Sequence, residues 1–215
     1  ATLNLPPLSA KHIALDEAEA KQQLAEYGVI IPHGVRLPSD IIPEFPVVLK
    51  ALGITHKTEQ NAVRLNLTSE AEIEQAKADL NKLSKPLYLE SMVQAPVAEL
   101  IVGITRDAQF GLVLTIGSGG VLVEILQDSQ TLLVPASRDD VEDAISQLKS
   151  LPLLQGYRGK PAADMVAAVE AVLAIQTYAL AQSEKLIELD VNPLLLCAAG
   201  KGVFAADALI ILEET

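Results

Sequence analysis

The chain has 215 residues, half of them hydrophobic but only 3% aromatic, so a sizeable core must be built from Leu, Ile, Val and Ala. A net charge of −12 excludes nucleic acid as a main partner, because a phosphate backbone demands a basic footprint, and argues equally against an anionic membrane surface. The single cysteine, Cys197, rules out an internal disulfide and points to a reduced, cytoplasmic setting, and the sequence shows no Cys/His cluster for zinc.

No apolar run reaches the length of a membrane span. The start at Ala1-Thr-Leu, without Met, reads as a piece of a longer polypeptide. Residues 1–14 contain prolines and read as irregular. Leu15 followed by Asp16-Glu-Ala-Glu19 resembles a capping box with an apolar residue before it, which predicts a helix to about Tyr27, stopped by Gly28. Val29-Ile-Ile31 reads as a short strand ended by Pro32-His33-Gly34, and 35–45 as loop or short irregular helix. Pro46-Val-Val-Leu-Lys50 is a buried strand ending on a lysine. A loop over 51–60 holds His56 and Lys57. Val63-Arg-Leu-Asn-Leu67 alternates strictly, marking a strand with one wet face.

Ser69-Glu-Ala-Glu72 opens a helix with the buried stripe Ile73, Ala76, Leu80 and Leu83, and Leu87–Val93 is a strand. Three β-branched runs follow, at 99–107, 110–116 and 121–124, separated by a short turn and the glycine cluster 117–120. Connections this short demand antiparallel neighbours. Glu99 and Glu124 lie in or beside these runs, and a half-buried carboxylate is costly unless a cation meets it, so the sheet has either a chemically active face or buried ion pairs. After a strand at Thr131–Val134, Ser137-Arg-Asp-Asp140 caps a helix with the apolar face Val141, Ala144, Ile145 and Leu148. Pro161 sits at the start of an apolar helix running to about Gln182, which should be buried on more than one side. Two strands, 186–196 and 203–212, close the chain. Helices segregated from antiparallel strands give an α+β class, expected as an irregular segment (1–14) and two lobes (15–90 and 91–215).

Several residues have two readings. Lys50 is either an exposed strand end or a point charge on a phosphate. His56 is either solvated or, with Lys57 beside it, part of an anion site. Gly117-Ser-Gly-Gly120 is followed by a strand, which excludes the dinucleotide-binding and P-loop patterns; it is either a tight turn or a source of amides for a phosphate. Glu188, Asp190 and Asn192 share one strand face, with Asp207 placed to lie opposite; oxygen ligands from two adjacent strands suit Mg²⁺, the alternative being a solvated polar face.

The chain resembles the ATP-grasp domain of ADP-forming acyl-CoA synthetases, including acetate–CoA ligase β subunits. The resemblance is carried by ordered blocks over about residues 15–212. These are Pro46–Lys50, His56-Lys57-Thr58-Glu59 with Val63–Leu67, Glu99–Asp107 with Phe110-Gly111, Gly119-Gly120 with Glu124, Gly156-Tyr-Arg-Gly159, and Glu188–Leu194 with Asp207-Ala208. It implies an ATP-grasp fold, two α+β lobes whose antiparallel sheets clasp ATP or ADP with Mg²⁺. It implies that Lys50 holds phosphates and that Glu90-Ser91-Met92 is the hinge beside adenine. Glu99, Gly119, Gly120, Glu124 and Arg158 would line the nucleotide pocket, and Asn192, Asp207 and Asp190 would hold the metal. His56 takes the phosphoryl group in the two-subunit members, with Lys57 beside it. The implied reaction is acyl-CoA + ADP + phosphate ⇌ acid + CoA + ATP, completed by CoA-binding and ligase domains of the same or a partner chain. Departures from the family pattern stand at Asn61 and Ala62 (usually glycines), Leu132 and Leu209 (usually arginines) and Ser91. These motivate an alternative, a regulatory synthetase-like module of a multidomain protein-lysine acetyltransferase.

Overall fold

The computed structural model describes residues 5, 11–54, 61–83, 86–120 and 127–214. Two compact units result, one of Ala1–Leu15, Glu19–Ile31 and Ala95–Thr215, the other of Asp16–Ala18 and Pro32–Gln94. This differs from the expected contiguous lobes, 15–90 and 91–215. The first strand, β1 (His12–Leu15), pairs antiparallel with the last, β11 (Ala208–Glu213), so the N-terminal segment is not irregular throughout and belongs with the C-terminal residues. Helix α1 (Glu17–Ala25) buries Ala20 and Leu24 in that same larger core and ends before Gly28, at φ 97, as expected.

The smaller unit is a four-stranded antiparallel sheet, ordered β2 (Gly34–Leu37), β5 (Leu87–Ser91), β3 (Val47–Ala51), β4 (Val63–Leu67). Helix α2 (Glu70–Leu80) lays Ile73, Ala76 and Leu80 on Val47, Leu49 and Leu89. Each such Leu or Ile contributes about 1.5–3 kcal/mol by leaving water. Ser69 accepts the Glu72 N–H at 3.4 Å, while the Glu72 carboxylate turns back to accept chiefly the N–H of Thr68, at 2.6 Å. The helix stops at Leu80, which leaves Leu83 51% exposed and outside the expected stripe. Strand β2 lies where a loop was expected, and Val29–Ile31 is not a strand. The reason is tertiary: a Cβ on Gly34 would stand 2.4 Å from the Tyr88 hydroxyl oxygen, so only a residue without one lets β2 lie against β5. The alternation of β4 is broken by a register shift against β3, with Asn66 at φ 57.

The larger unit holds a sheet ordered β1, β11, β9 (Leu186–Leu196), β6 (Ala98–Asp107), β7 (Gly111–Ser118), β8 (Ser129–Leu133), with β10 (Val203–Ala205) also on β9; all these pairs are antiparallel. Alternate residues, such as Val102, Ile104, Leu114, Leu189 and Ile210, enter a core shared with helices α3 (Arg138–Ser146) and α5 (Met165–Ala181). The reciprocal capping box at Ser137 and Asp140 forms as the sequence implies. A short helix, α4 (Leu151–Leu154), precedes α5. Helix α5 begins four residues later than Pro161, because Asp164 caps it, accepting the N–H of Ala167 at 3.2 Å and that of Gly202 at 3.0 Å. Val166 faces outward at 71% exposure, so this helix is not buried all round. The expected strand 203–212 is broken at Ala206-Asp207. There the Ala206 N–H goes to Pro193 O and the Asn192 N–H to Asp207 O, at 3.0 and 3.2 Å. Among the described residues, no helix is long and apolar enough to cross a membrane.

Candidate functional site

Three groups of side chains carry chemistry, one in the smaller unit and two in the larger. In the smaller unit, Val47, Leu49 and Ala51 of β3 join the core, which turns Lys50 to the opposite face. Lys50 is buried at 6% exposure, not an exposed strand end. Its Nζ lies 2.6 Å from Glu17 Oε1 and 2.7 Å from Glu90 Oε1, and both carboxylates are buried. Across three strands, Arg36, Tyr88 and Lys50 form one row. Asp16 grips Arg36 through two bonds, of 2.6 and 2.8 Å. Burial, then the carboxylates of Glu90 and Glu17, push the Tyr88 hydroxyl up to about 12. The sequence reading missed Glu17, whose partner lies 33 residues away.

Glu90, assigned to the hinge, is thus an anchor of the ammonium. The next two residues are tied by backbone bonds, Ser91 N–H to His33 O at 2.9 Å and Met92 N–H to Pro46 O at 2.8 Å. The segment 90–92 ends two residues before Gln94, where the unit ends.

In the larger unit, Glu99, Gly119 and Gly120 come together. The Gly119 N–H donates to Glu99 O at 2.8 Å, and a Cβ on Gly119 would stand 2.7 Å from the Glu99 Cβ. Gly120, at φ 86, lies against the Glu99 carboxylate, 3.9 Å from its Oε2 to an added Cβ. Glu99 itself is exposed, so water solvates its charge and it is not a buried carboxylate. Arg158 is exposed on another turn, at φ 50, with its guanidinium 5.3 Å from the centre of the Tyr157 ring.

The third group lies on the open face of the large sheet. Leu189 and Val191 are buried, which turns Glu188, Asp190 and Asn192 outward. Asn192 and Asp207 are adjacent across β9 and the start of β11, joined by their backbones. Burial, and then the charges of Glu188 and Asp207, push the Asp190 carboxyl up to about 6. The cross-strand partner of Asp190 on β11 is Leu209, and on β6 it is Gly103. Close beside the face, Lys21 is fully buried and donates to Ala206 O at 3.2 Å; the sequence reading missed this residue too. Among the described residues, no three His, Cys, Asp or Glu side chains converge tightly enough to cage a metal. Mg²⁺ does not require such a cage: it is commonly bound by one or two carboxylates, with water and phosphate completing the shell. The oxygen donors of Asn192, Asp207 and Asp190, and a carboxyl that resists ionising beside other acids, fit that chemistry. His56, Lys57 and Glu124 lie outside the described residues.

The ATP-grasp domain family matches residues 7–212. The chain is 29% identical to the β subunit of acetate–CoA ligase (ADP-forming) II from Pyrococcus furiosus, over 96% of this chain and 94% of that one. It is 32% identical to acetate–CoA ligase (ADP-forming) II from Archaeoglobus fulgidus, over 92% of this chain but only 30% of that longer protein. Among solved structures, it superposes with a TM-score of 0.79, at 32% identity and 93% coverage of each chain, on the dinucleotide-forming acetyl-coenzyme A synthetase 1 of Ca. Korarchaeum cryptofilum. That protein was solved in complex with coenzyme A and Mg-AMPPCP, its phosphohistidine segment pointing towards the nucleotide binding site. An α+β chain with this strand order, a buried strand lysine and an acidic terminal strand pair therefore belongs to the ATP-grasp family, as an ATP-grasp domain homologous to ADP-forming acyl-CoA synthetases.

Proposed function

We propose that the chain binds ATP or ADP with Mg²⁺ as the nucleotide-handling part of an ADP-forming acyl-CoA ligase. The observation that carries this reading is the match over nearly the whole length of the P. furiosus β subunit. In this reading Lys50 meets the phosphates as an ammonium whose direction is set before the ligand arrives. Asn192 and Asp207, with Asp190 beside them, offer oxygens to Mg²⁺. The metal supplies neutralisation of charge between phosphate oxygens. Glu99, Gly119, Gly120, Glu124, Arg158 and the segment Glu90-Ser91-Met92 are assigned to the nucleotide. His56, with Lys57 beside it, accepts a phosphoryl group from a phosphohistidine of a partner domain and passes it to ADP. The remaining steps, in which acyl-CoA, phosphate and the partner domain's histidine give acid, CoA and the phosphohistidine, belong to CoA-binding and ligase domains of the same or a partner chain. The relatives named above are ligases, which favours this reading over the regulatory module of an acetyltransferase.

Calorimetric titration with ATP tests it. Binding should require Mg²⁺ and be lost in Asp207→Ala and Asn192→Ala. Tight binding that ignores the metal, and survives both substitutions, would refute the assignment.

A further inference from the structure

We propose that Asp128 is a positioning residue of the nucleotide site, acting through Ser118 to hold the Gly119-Gly120 turn against Glu99. The inference rests on the nucleotide reading above and extends it to a residue which that reading does not use.

Asp128 stands one residue before β8 and is only 2% exposed; Ser118, the last residue of β7, is buried beside it. The Asp128 carboxylate accepts from both sides of the fold. Its Oδ1 takes the N–H of Lys149 at 2.6 Å, and its Oδ2 takes the N–H of Ser150 at 2.9 Å and the hydroxyl of Ser118. Burial pushes the carboxyl up, but the Ser118 hydroxyl and the two amides outweigh it and hold the group below the ordinary carboxylate range. It is therefore ionised at neutral pH, and an ionised carboxylate only accepts, so the Ser118 hydroxyl is the donor. The Ser118 N–H goes to Asp128 O at 2.9 Å, so backbone and side chain of Ser118 are bound to one residue.

The two amides lie between α3 and α4, and they fix the carboxylate from the helix side. The carboxylate in turn fixes the end of β7. Gly119 comes next and has no slack. Its N–H is 2.8 Å from Glu99 O, and a Cβ there would stand 2.7 Å from the Glu99 Cβ. Gly120 follows at φ 86, alongside the Glu99 carboxylate. A shift of Ser118 passes directly to both glycines, because planar peptide units transmit it. An apolar side chain at 128 would fill space at a lower desolvation cost, but it would impose no direction. Charge-assisted hydrogen bonds impose one.

Two measurements, both well below melting, test it. One is the hydrogen-exchange rate of the Gly119 amide relative to that of the Val134 amide. The other is the dissociation constant for Mg-ADP by calorimetry. The Val134 N–H is bonded to Leu112 O near the far end of β7, at 3.0 Å, so a global loss of stability speeds both amides alike and cancels in the ratio. Ser118→Ala removes one hydroxyl and leaves both amides on Asp128. Asp128→Asn keeps the shape but turns one acceptor oxygen into a donor. Each should raise the exchange ratio about tenfold and weaken Mg-ADP about tenfold. Ser118→Ala is the milder change and carries the test should Asp128→Asn fail to fold. If the wild-type chain binds Mg-ADP and the ratio does not rise, or rises with affinity kept, the role of Asp128 is overturned and the nucleotide reading stands. If the wild-type chain binds no Mg-ADP, that reading falls and takes this inference with it.

Discussion

Lys50 and Glu17 are 33 residues apart in the chain, yet their charged atoms lie 2.6 Å apart and both side chains are closed to water. Breaking a buried ion pair from one side leaves charge stranded in a poor solvent. Lys50→Met should therefore lower the unfolding free energy by about 3–5 kcal/mol. The double variant with Glu17→Gln should recover part of that loss, because one of the stranded carboxylates is gone. Urea midpoints of the three proteins check this. A single variant within about 1 kcal/mol of wild type, the range of a surface pair, contradicts the buried pairing.

Asp190 supplies a pH dependence. Its folded carboxyl ionises near pH 6, against about 3.9 in an unfolded chain. Between these values the folded state binds more protons, so this group's contribution to stability falls as pH rises from about 4 to 6 and stays low above. Asp190→Asn should raise the melting temperature at pH 7.5 by about 2–4 °C, the shift for about 1 kcal/mol in a chain of this size once partial solvent screening is allowed for. At pH 4 the two proteins should melt together. A variant that melts lower than wild type at pH 7.5 contradicts the expectation.

Gly119 permits close approach. In Gly119→Ala the new methyl group meets the Glu99 Cβ at 2.7 Å and the Glu99 carbonyl carbon at 3.0 Å, and backbone does not yield easily. A cost of about 1–3 kcal/mol is expected. At Gly28 nothing lies within 4 Å and only φ 97 opposes a side chain, so Gly28→Ala should cost about 1 kcal/mol or less. Thermal melts of the pair give the comparison, and equal losses count against the packing argument.

His56 lies outside the described residues, and a labelling experiment tests the role assigned to it. If the proposed role holds, labelled ATP incubated with the protein should leave an acid-labile, base-stable label that His56→Ala abolishes. Label retained in that variant moves the acceptor elsewhere.

Much of the fold was legible because its signals are local. The Ser137–Asp140 capping box, the stripe Ile73, Ala76 and Leu80, and the alternation of Leu189 and Val191 against Asp190 and Asn192 all depend on near neighbours. What escaped depends on partners distant in sequence. Nothing around Gly34 announces that Tyr88 will lie over it, so β2 was read as loop. Proline at 161 is a helix-start signal, but Asp164 has the amides of Ala167 and Gly202 to accept, and the helix begins there. For the site, Lys50, Asp190, Asn192 and Asp207 stood out as polar residues in apolar runs. Glu17 and Lys21 were hidden in an ordinary amphipathic helix, since only the folded chain brings them to Lys50 and Ala206.

Asn61 carries one more consequence. It occupies a position where the family usually has glycine, and its backbone stands at φ 52, in the left-handed region that asparagine enters more readily than most residues. Ala62 beside it is buried, and its carbonyl accepts the amide of Ala51 at 2.9 Å. A left-handed turn at this point of the chain is thus held by an asparagine and does not require a glycine.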